Sequence, residues 1–445
     1  MNARAGIILA AGQGTRMKSA KPKVMHAVAG LPILGHVIKA MRGAGVSRIV
    51  VVTAKDAEEV RAYAASLGAA CAIQDKQLGT GHAAACAREA LDGFDGALIV
   101  TYGDMPLVTP ETFEASFAAR GKAGMAIVAF QSESTAYGRV IAGKDGLLDR
   151  IVEYRDAKGA EREVKLCNAG IMAADMKRFF HWASQLTSEN TQNEFYLTDV
   201  PGFARADGVG CAIVEAKEAD MMGVNSRAEL AAAEAVMQMR LRGAALAAGV
   251  GMLAPETVFL SHDTVLEPDV QVGPNVVFGP NVTVRSGAEI KAFSHLEGAE
   301  VASGALIGPF ARLRPGAVIE ENVHIGNFVE VKKARIEKGA KANHLAYIGD
   351  ARVGAGANIG AGTITCNYDG FDKHFTDIGA GAFIGSDTAL VAPVKVADGA
   401  YVGAGSVVTK DVGKDALAVT RAEQREIAGW AAKFRARKRA EKGKK

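Results

Sequence analysis

Residues 9 to 17, Leu-Ala-Ala-Gly-Gln-Gly-Thr-Arg-Met, close a short apolar run. A glycine loop in that position can lay successive backbone N–H groups around a phosphate. It is not a dinucleotide fingerprint, because Met17 stands where the third glycine belongs. It is not a Walker A loop either, since no Gly-Lys-Ser or Gly-Lys-Thr follows. Arg16 and Lys23 are cations suited to phosphate. Asp104, just past the apolar run Ala97 to Tyr102, offers the hard carboxylate oxygen that Mg2+ prefers, although an aspartate there also reads as a turn or helix cap. A second chemistry needs a base near neutral pH, and histidine is the natural group. The chain has nine histidines. His344 lies in Lys341-Ala-Asn-His-Leu-Ala-Tyr347, where a six-residue rhythm of the second half is disturbed. Taken alone, a solitary histidine is more simply a structural residue, and His262, His295 and His324 keep that reading.

The elements around these residues change character halfway. In the first half, the apolar runs Gly6 to Ala11, Arg48 to Ala54, Ala97 to Tyr102 and Ala126 to Phe130 alternate with helical patterns such as Ile33 to Ala44 and His82 to Leu91. That alternation predicts an α/β domain with a mostly parallel, Rossmann-like sheet, whose ligands bind at the carboxyl ends of the strands. Both the glycine loop and Asp104 fall at such ends. Ala228 to Ala248 is rich in Ala, Leu, Met, Glu and Arg and reads as a joining helix. Beyond it, apolar residues recur every six positions: Leu260, Leu266, Val272, Phe278, Val284, Ile290 and Leu296. After a step of five the rhythm resumes from Val301 to Val331, and it returns from Ile378 to Val408. Neither a helix nor a plain strand repeats at six; hexapeptide repeats specify a parallel β-helix, here expected left-handed. Cys366 to Phe375 breaks the rhythm and reads as a projecting loop. The expected domains are 1–226, a joining helix 227–249, and a solenoid with its tail, 250–445.

Composition narrows the function classes. Of 445 residues, 49% are hydrophobic and 23% charged, an ordinary globular balance. The net charge of +3 hides a local +7 over Ala431 to Lys445, so the other residues sum to −4. That is not a nucleic-acid-binding balance, and the tail reads as a solvated, frayed end. Five scattered cysteines without metal spacing suit a reducing cytosol. No apolar run is long enough for a membrane span, and the N-terminus lacks a signal-peptide pattern.

The motifs also carry a resemblance. Leu-Ala-Ala-Gly-x-Gly-Thr-Arg-Met with Pro22-Lys23 looks like the signature of sugar-1-phosphate nucleotidyltransferases. It continues in Gln77-Leu-Gly-Thr-Gly-His82, Tyr102-Gly-Asp104, Tyr137-Gly-Arg139, Ile151-Val-Glu153, Asn168-Ala-Gly170 and Gly223-Val-Asn225. With its hexapeptide half, the chain resembles, end to end, the bifunctional N-acetylglucosamine-1-phosphate uridyltransferases/glucosamine-1-phosphate acetyltransferases. That resemblance implies two reactions: acetylation of glucosamine-1-phosphate by acetyl-CoA, then transfer of UMP from UTP to N-acetylglucosamine-1-phosphate with release of pyrophosphate. The product would feed cell-wall and other amino-sugar polymers.

The resemblance also implies residue roles. Asp104 and Asn225 would hold Mg2+, although Asn225 before Ser226 also reads as a helix cap. Leu9, Ala10, Ala11, Gly12, Arg16, Lys23, Tyr102 and Gly103 would surround the nucleotide. Gln74, Gly79 and Thr80 would read the uracil, while Gly138, Glu153 and Asn168 would hold the sugar. His82 is expected to start a helix, and Asn190 to Asp199 to support the sugar pocket. His344 would be the acetyltransferase base, in a segment where Asn343 replaces a glycine common in the family. Arg314 and Lys332 would bind the sugar phosphate, and Tyr347 and Asn358 the sugar. Ala361, Asn367, Tyr368, Ser386, Ala404 and Arg421 would line the acetyl-CoA groove, with Arg421 requiring the tail to fold back, as onto a neighbouring subunit. A homotrimer with acetyl-CoA sites between subunits is implied too. Two rival readings are a different sugar nucleotidyltransferase with another acyltransferase, and a non-catalytic assembly subunit. Lys23, Asp104, Asn225 and His344 together argue against the second, and the Asn-Tyr-Asp-Gly loop and the His344 segment against the first.

Overall fold

The computed structural model describes residues 3–12, 14–190 and 192–442, which divide into two compact units. The first comprises Met1–Ala244 with Leu260–His262; the second comprises Ala245–Phe259 and Asp263–Lys445.

The first unit is built on strands β1 (Arg4–Ala10), β2 (Arg48–Ala54), β3 (Ala70–Gln74), β4 (Ala97–Tyr102), β5 (Gly124–Gln131), β6 (Arg139–Ala142), β7 (Leu148–Val152), β8 (Leu166–Asp175) and β9 (Gly210–Glu215). The main path runs β9-β5-β8-β4-β1-β2-β3, with the β6/β7 hairpin joined through β8. β1 pairs in parallel with β2 and β4, and β9 with β5, whereas β8 is antiparallel to both its main-path neighbours. Side chains alternate between faces along each strand. Ile7, Val50, Val100 and Ile127 therefore fill the core on one side, and Ile8, Val51, Ile99 and Val128 the core on the other. Sheets buried on both faces read as continuous apolar runs, which is why these strands were visible in the sequence.

The chain leaves β1 toward β2 and β3, then returns to the other side of β1 as β4. The carboxyl ends of β1 and β4 thus flank a topological switch point, where a crevice opens in sheets of this kind. The Gly103 N–H donates to the Leu9 carbonyl at 2.9 Å and ties the two ends together. The helix expected from His82 instead begins at Thr80, spanning Thr80–Cys86, because Gly79 at φ 104° turns the chain two residues earlier. It stops at Cys86, and Glu89–Leu91 forms only a short 3-10 turn.

The second unit is a parallel β-helix. Short strands stack in register every coil, as in Gln271–Val272, Glu289–Ile290, Leu306–Ile307 and His324–Asn327. The residue of each pair that carries the six-residue rhythm points inward: Val272, Ile290, Ile307 and Ile325 are all buried. Several corners use left-handed asparagines, among them Asn275, Asn281 and Asn322, a conformation asparagine tolerates better than most residues.

One sequence expectation needs correcting. The rhythm is not disturbed at His344. Ala342 and Ile348 are both buried, six residues apart, in consecutive strands of an intact coil. An alanine takes the inward position here and is buried there, so the rhythm persists while the aliphatic signal fades. The basic tail differs from the frayed reading as well: Trp430–Lys442 is a helix with every residue exposed. The last three residues of that tail lie outside the described residues, as does Gln13 of the glycine loop.

Candidate active sites

In the first unit, Leu9 to Gly12, Lys23, Gln74, Gly79, Thr80, Tyr102 and Asp104 line one cleft at the switch point. Gly14, at φ 61°, lies against the Lys23 side chain, and a Cβ there would stand 2.8 Å from Lys23 Cβ. This close approach brings the stem of Lys23 to the loop. The Lys23 ammonium donates to Asp104 Oδ2 at 2.6 Å and to Asn225 Oδ1 at 2.8 Å. Two backbone features hold those oxygens in place. The Val224 N–H donates to the Asp104 carbonyl at 2.9 Å. Ser226, not Asn225, caps the next helix, Arg227–Ala247: Ser226 Oγ accepts from the Glu229 N–H, and Glu229 Oε2 accepts from the Asn225 N–H at 2.7 Å. The Asn225 side chain is thereby released toward Asp104.

Tyr102 links this cleft to the expected sugar residues. Its hydroxyl bonds Thr80, and burial, with Glu153 and Asp104 nearby, pushes its ionisation far upward. Gly170, at φ 73°, sits where any side chain would collide with the Tyr102 ring. It falls in the irregularity of β8 between Asn168 and Met172. The Asn168 N–H donates to the Gly138 carbonyl at 2.8 Å, and a Cβ on Gly138 would lie 3.5 Å from Glu153 Oε1. Burial, then the charge of Asp156, raises the Glu153 carboxyl above its ordinary value. Gly138, Glu153 and Asn168 therefore come together, while Arg16 is exposed on the turn Thr15–Met17. Gln74 is buried and bonds the Gly79 carbonyl and His82 Nδ1, so it shapes the loop as well as lining the cleft. The segment Asn190 to Asp199 packs on this loop: the Gly81 N–H donates to the Phe195 carbonyl and the Leu197 N–H to Thr80 Oγ1. Gln77 and Glu194 also line the cleft, and neither was singled out from the sequence. Gln77 donates across the cleft to the Ala11 carbonyl at 2.8 Å. A glutamine inside a recognised motif carries no periodic signal of such a contact.

In the second unit, His344 is exposed at the end of Lys341–His344, and its Nδ1 lies 3.0 Å from Asn327 Oδ1. With the Nδ1 hydrogen held by that oxygen, Nε2 keeps its lone pair for accepting a proton; this tautomer follows from the hydrogen bond. Arg314 pairs with Glu330 at 2.7 Å, and Lys332 lies 3.8 Å from Asp350, which also accepts from Asn367. Tyr347 lies within electrostatic reach of both Arg314 and Lys332. Asn358 follows on the neighbouring coil, paired with Lys341. Lys373, not foreseen from the sequence, joins the cations. Its side chain contacts that of Lys332, and this contact, then the Lys332 charge, lowers the Lys373 ammonium below the usual lysine value. Two ammonium groups held together make a site for an anion.

The loop carrying Lys373 is organised by Asp369, which accepts from the Phe371 and Asp372 N–H groups and from His374. Tyr368, half exposed, stands on the same loop with its hydroxyl donating to the Gly370 carbonyl. Ala361, Ser386 and Ala404 stack one above another on successive coils, linked by Asp387 N–H to Ala361 carbonyl and Gly405 N–H to Ser386 carbonyl bonds. Arg421 reaches the Ala404 carbonyl of its own chain. Among the described residues no group of three or more His, Cys, Asp or Glu side chains gathers as a metal cage. The pair formed by Asp104 and Asn225 is different: two hard oxygens already face one cation, which fits a Mg2+ held mostly by water and substrate phosphates.

Comparisons with known proteins agree with this division. Residues 6–169 match the MobA-like NTP transferase domain family, and residues 298–333 match the bacterial transferase hexapeptide (six repeats) family. The chain is 55% identical over 443 residues to the Bifunctional protein GlmU of Paramagnetospirillum magneticum, covering 99% of this chain and 98% of that protein. It is 52% identical to the Bifunctional protein GlmU of Ruegeria sp., covering 99% and 98%. Identity to the protein of the same name from Acidiphilium cryptum is 55%, covering 96% and 98%.

Proposed function

For this chain, which belongs to the family of bifunctional GlmU proteins, we propose a residue-level account of two reactions. The enzyme acetylates glucosamine-1-phosphate with acetyl-CoA and joins UMP from UTP to N-acetylglucosamine-1-phosphate. The observation that carries the residue assignment is the presence of two separate constellations, Lys23 with Asp104 and Asn225 in the first unit, and His344 with Asn327 in the second.

In the acetyl transfer, the sugar amine attacks the thioester carbonyl. The C–N bond forms, His344 Nε2 takes the amine proton and returns it to the sulfur as the C–S bond breaks, and coenzyme A leaves as the thiol. Arg314, Lys332 and Lys373 hold the sugar phosphate, while Tyr347 and Asn358 orient the ring. Acetyl-CoA lies along Ala361, Ser386 and Ala404, with Asn367, Tyr368 and Arg421 beside it.

In the uridylyl transfer, an oxygen of the sugar phosphate attacks the α-phosphorus of UTP and pyrophosphate leaves. Such displacements depend on positioning and charge neutralisation more than on a protein nucleophile. The loop Leu9 to Gly12 cradles the phosphates, Arg16 and Lys23 balance their charge, and Gln74, Gly79 and Thr80 bound the base. Gly103 sets the chain toward Asp104, and Gly138, Glu153 and Asn168 seat the sugar. Asp104 and Asn225 would hold Mg2+, which when bound neutralises phosphate charge.

We assign the uridylyltransferase to residues 1–226, the joining helix to 227–249 and the acetyltransferase to 250–445. The solenoids assemble as a homotrimer. The exposed, stacked rings of Phe293, Phe310 and Phe328 support such an apolar contact between copies. The site of action is the cytoplasm, and no described helix is long and apolar enough to cross a membrane.

Two assays test the reading: coenzyme A release with glucosamine-1-phosphate, and pyrophosphate release with UTP and N-acetylglucosamine-1-phosphate, with and without Mg2+. His344→Ala should lower acetyl transfer by about 100-fold or more and leave uridylyl transfer unchanged. Loss of both activities would overturn the assignment of separate sites.

A further inference from the structure

We infer that Lys23 is a built-in competitor for the divalent cation: its ammonium takes the place between Asp104 and Asn225, so free metal must displace it and binds weakly, and metal binds tightly only when a polyphosphate draws the ammonium away. This rests on the reading of Asp104 and Asn225 as the metal-holding pair.

Three observations carry it. The ammonium contacts both oxygens at once, 2.6 Å from Asp104 Oδ2 and 2.8 Å from Asn225 Oδ1. Mg2+ binds such oxygens at about 2.1 Å, so an ion on both of them would sit against the ammonium at a distance where like charges repel strongly. The contact is also sheltered, with the Lys23 side chain 13% exposed and that of Asp104 19%, so solvent screens the repulsion poorly. Finally, Lys23 and the phosphate-cradling residues Ala11 and Gly12 line the same cleft. A bound polyphosphate would offer the ammonium an anion nearby, so the flexible stem can exchange partners without leaving the cleft.

The arrangement has two consequences. The Asp104 carboxylate always has a cation, and the two oxygens stay gathered. Free metal binds weakly, and metal and nucleotide bind cooperatively, because the phosphates relieve the competition.

The test uses the full-length protein and Mn2+ as probe, with unbound Mn2+ read by electron paramagnetic resonance in the absence of nucleotide. Lys23→Met keeps the stem and removes the charge, and it should bind Mn2+ about tenfold or more tightly than the parent. Equal or weaker binding would sink the proposal. Adding Asp104→Asn to Lys23→Met should abolish the gain; if the double variant still binds tightly, the metal-holding pair itself is misassigned. A measurement on the unsubstituted protein needs no variant to fold. Lysine acylation followed by mass spectrometry should show Lys23 protected without metal and labelled several-fold faster at saturating Mg2+. Unchanged or slower labelling would equally overturn the competition.

Discussion

At the residue scale, His344, the base proposed for acetyl transfer, has a neighbour that no local motif announces. Asn327 stands 17 residues before His344, one coil away, and its side-chain oxygen fixes the imidazole. It acts through His344 and is a positioning residue. Asn327→Ala should lower kcat for acetyl transfer by about tenfold to 100-fold, by analogy with other groups that orient a functional histidine, with KM for glucosamine-1-phosphate little changed. Asn327→Asp, which keeps an oxygen acceptor, should recover most of the rate. A rise in KM alone, without rescue, would mean that Asn327 only shapes the groove. The residue types proposed to react were legible because chemistry restricts them: a hard oxygen donor, a phosphate cation and a base near neutral pH. Their partners were not, because Asn327 and Lys373 reach their targets only through the stacking of coils.

At the scale of the element, the glycine loop and α1 (Ile33–Gly43) show how packing sets conditions around the first site. His36 on α1 is buried and bonds the Val28 carbonyl, and burial lowers its value from 6.5 to about 4. It therefore stays neutral in the folded unit while the unfolded chain takes up a proton below 6.5. Its contribution is fully present above that value and is lost as pH falls from 6.5 toward 4. Cooling of the melting transition between pH 7 and 5 should reflect about 2 kcal/mol from this group. His36→Gln should flatten that dependence; an unchanged slope would show that other groups carry it. Strand and helix positions were largely readable, since buried strands and repeated hexads both leave periodic apolar marks. The coil at His344 was misread because Ala342 fills its inward place without the bulk that makes the rhythm visible.

At the scale of the whole molecule, the proposed assignment gives each unit its own reaction. A protein with Asp104→Asn and another with His344→Ala should each fail to convert glucosamine-1-phosphate, acetyl-CoA and UTP into UDP-N-acetylglucosamine. Their mixture should restore product formation, after a lag while the acetylated sugar phosphate accumulates in solution. No product from the mixture would mean that the intermediate must pass within one assembly. The lag distinguishes free diffusion from transfer, because a shared pool fills before the second reaction reaches its steady rate.

The amino-acid sequence alone determined the two kinds of architecture and the two kinds of chemistry. Periodicity is a local property, and the reacting residue types are few. Only the tertiary structure decided which groups meet. Lys23 finds Asp104 and Asn225 at separations of 81 and 202 positions. The physical reason is that a sheet brings the ends of non-consecutive strands to one crevice, and a solenoid brings residues a coil apart to one face. Contacts of that range depend on how strands are ordered and coils are stacked, and no spacing along the chain encodes them.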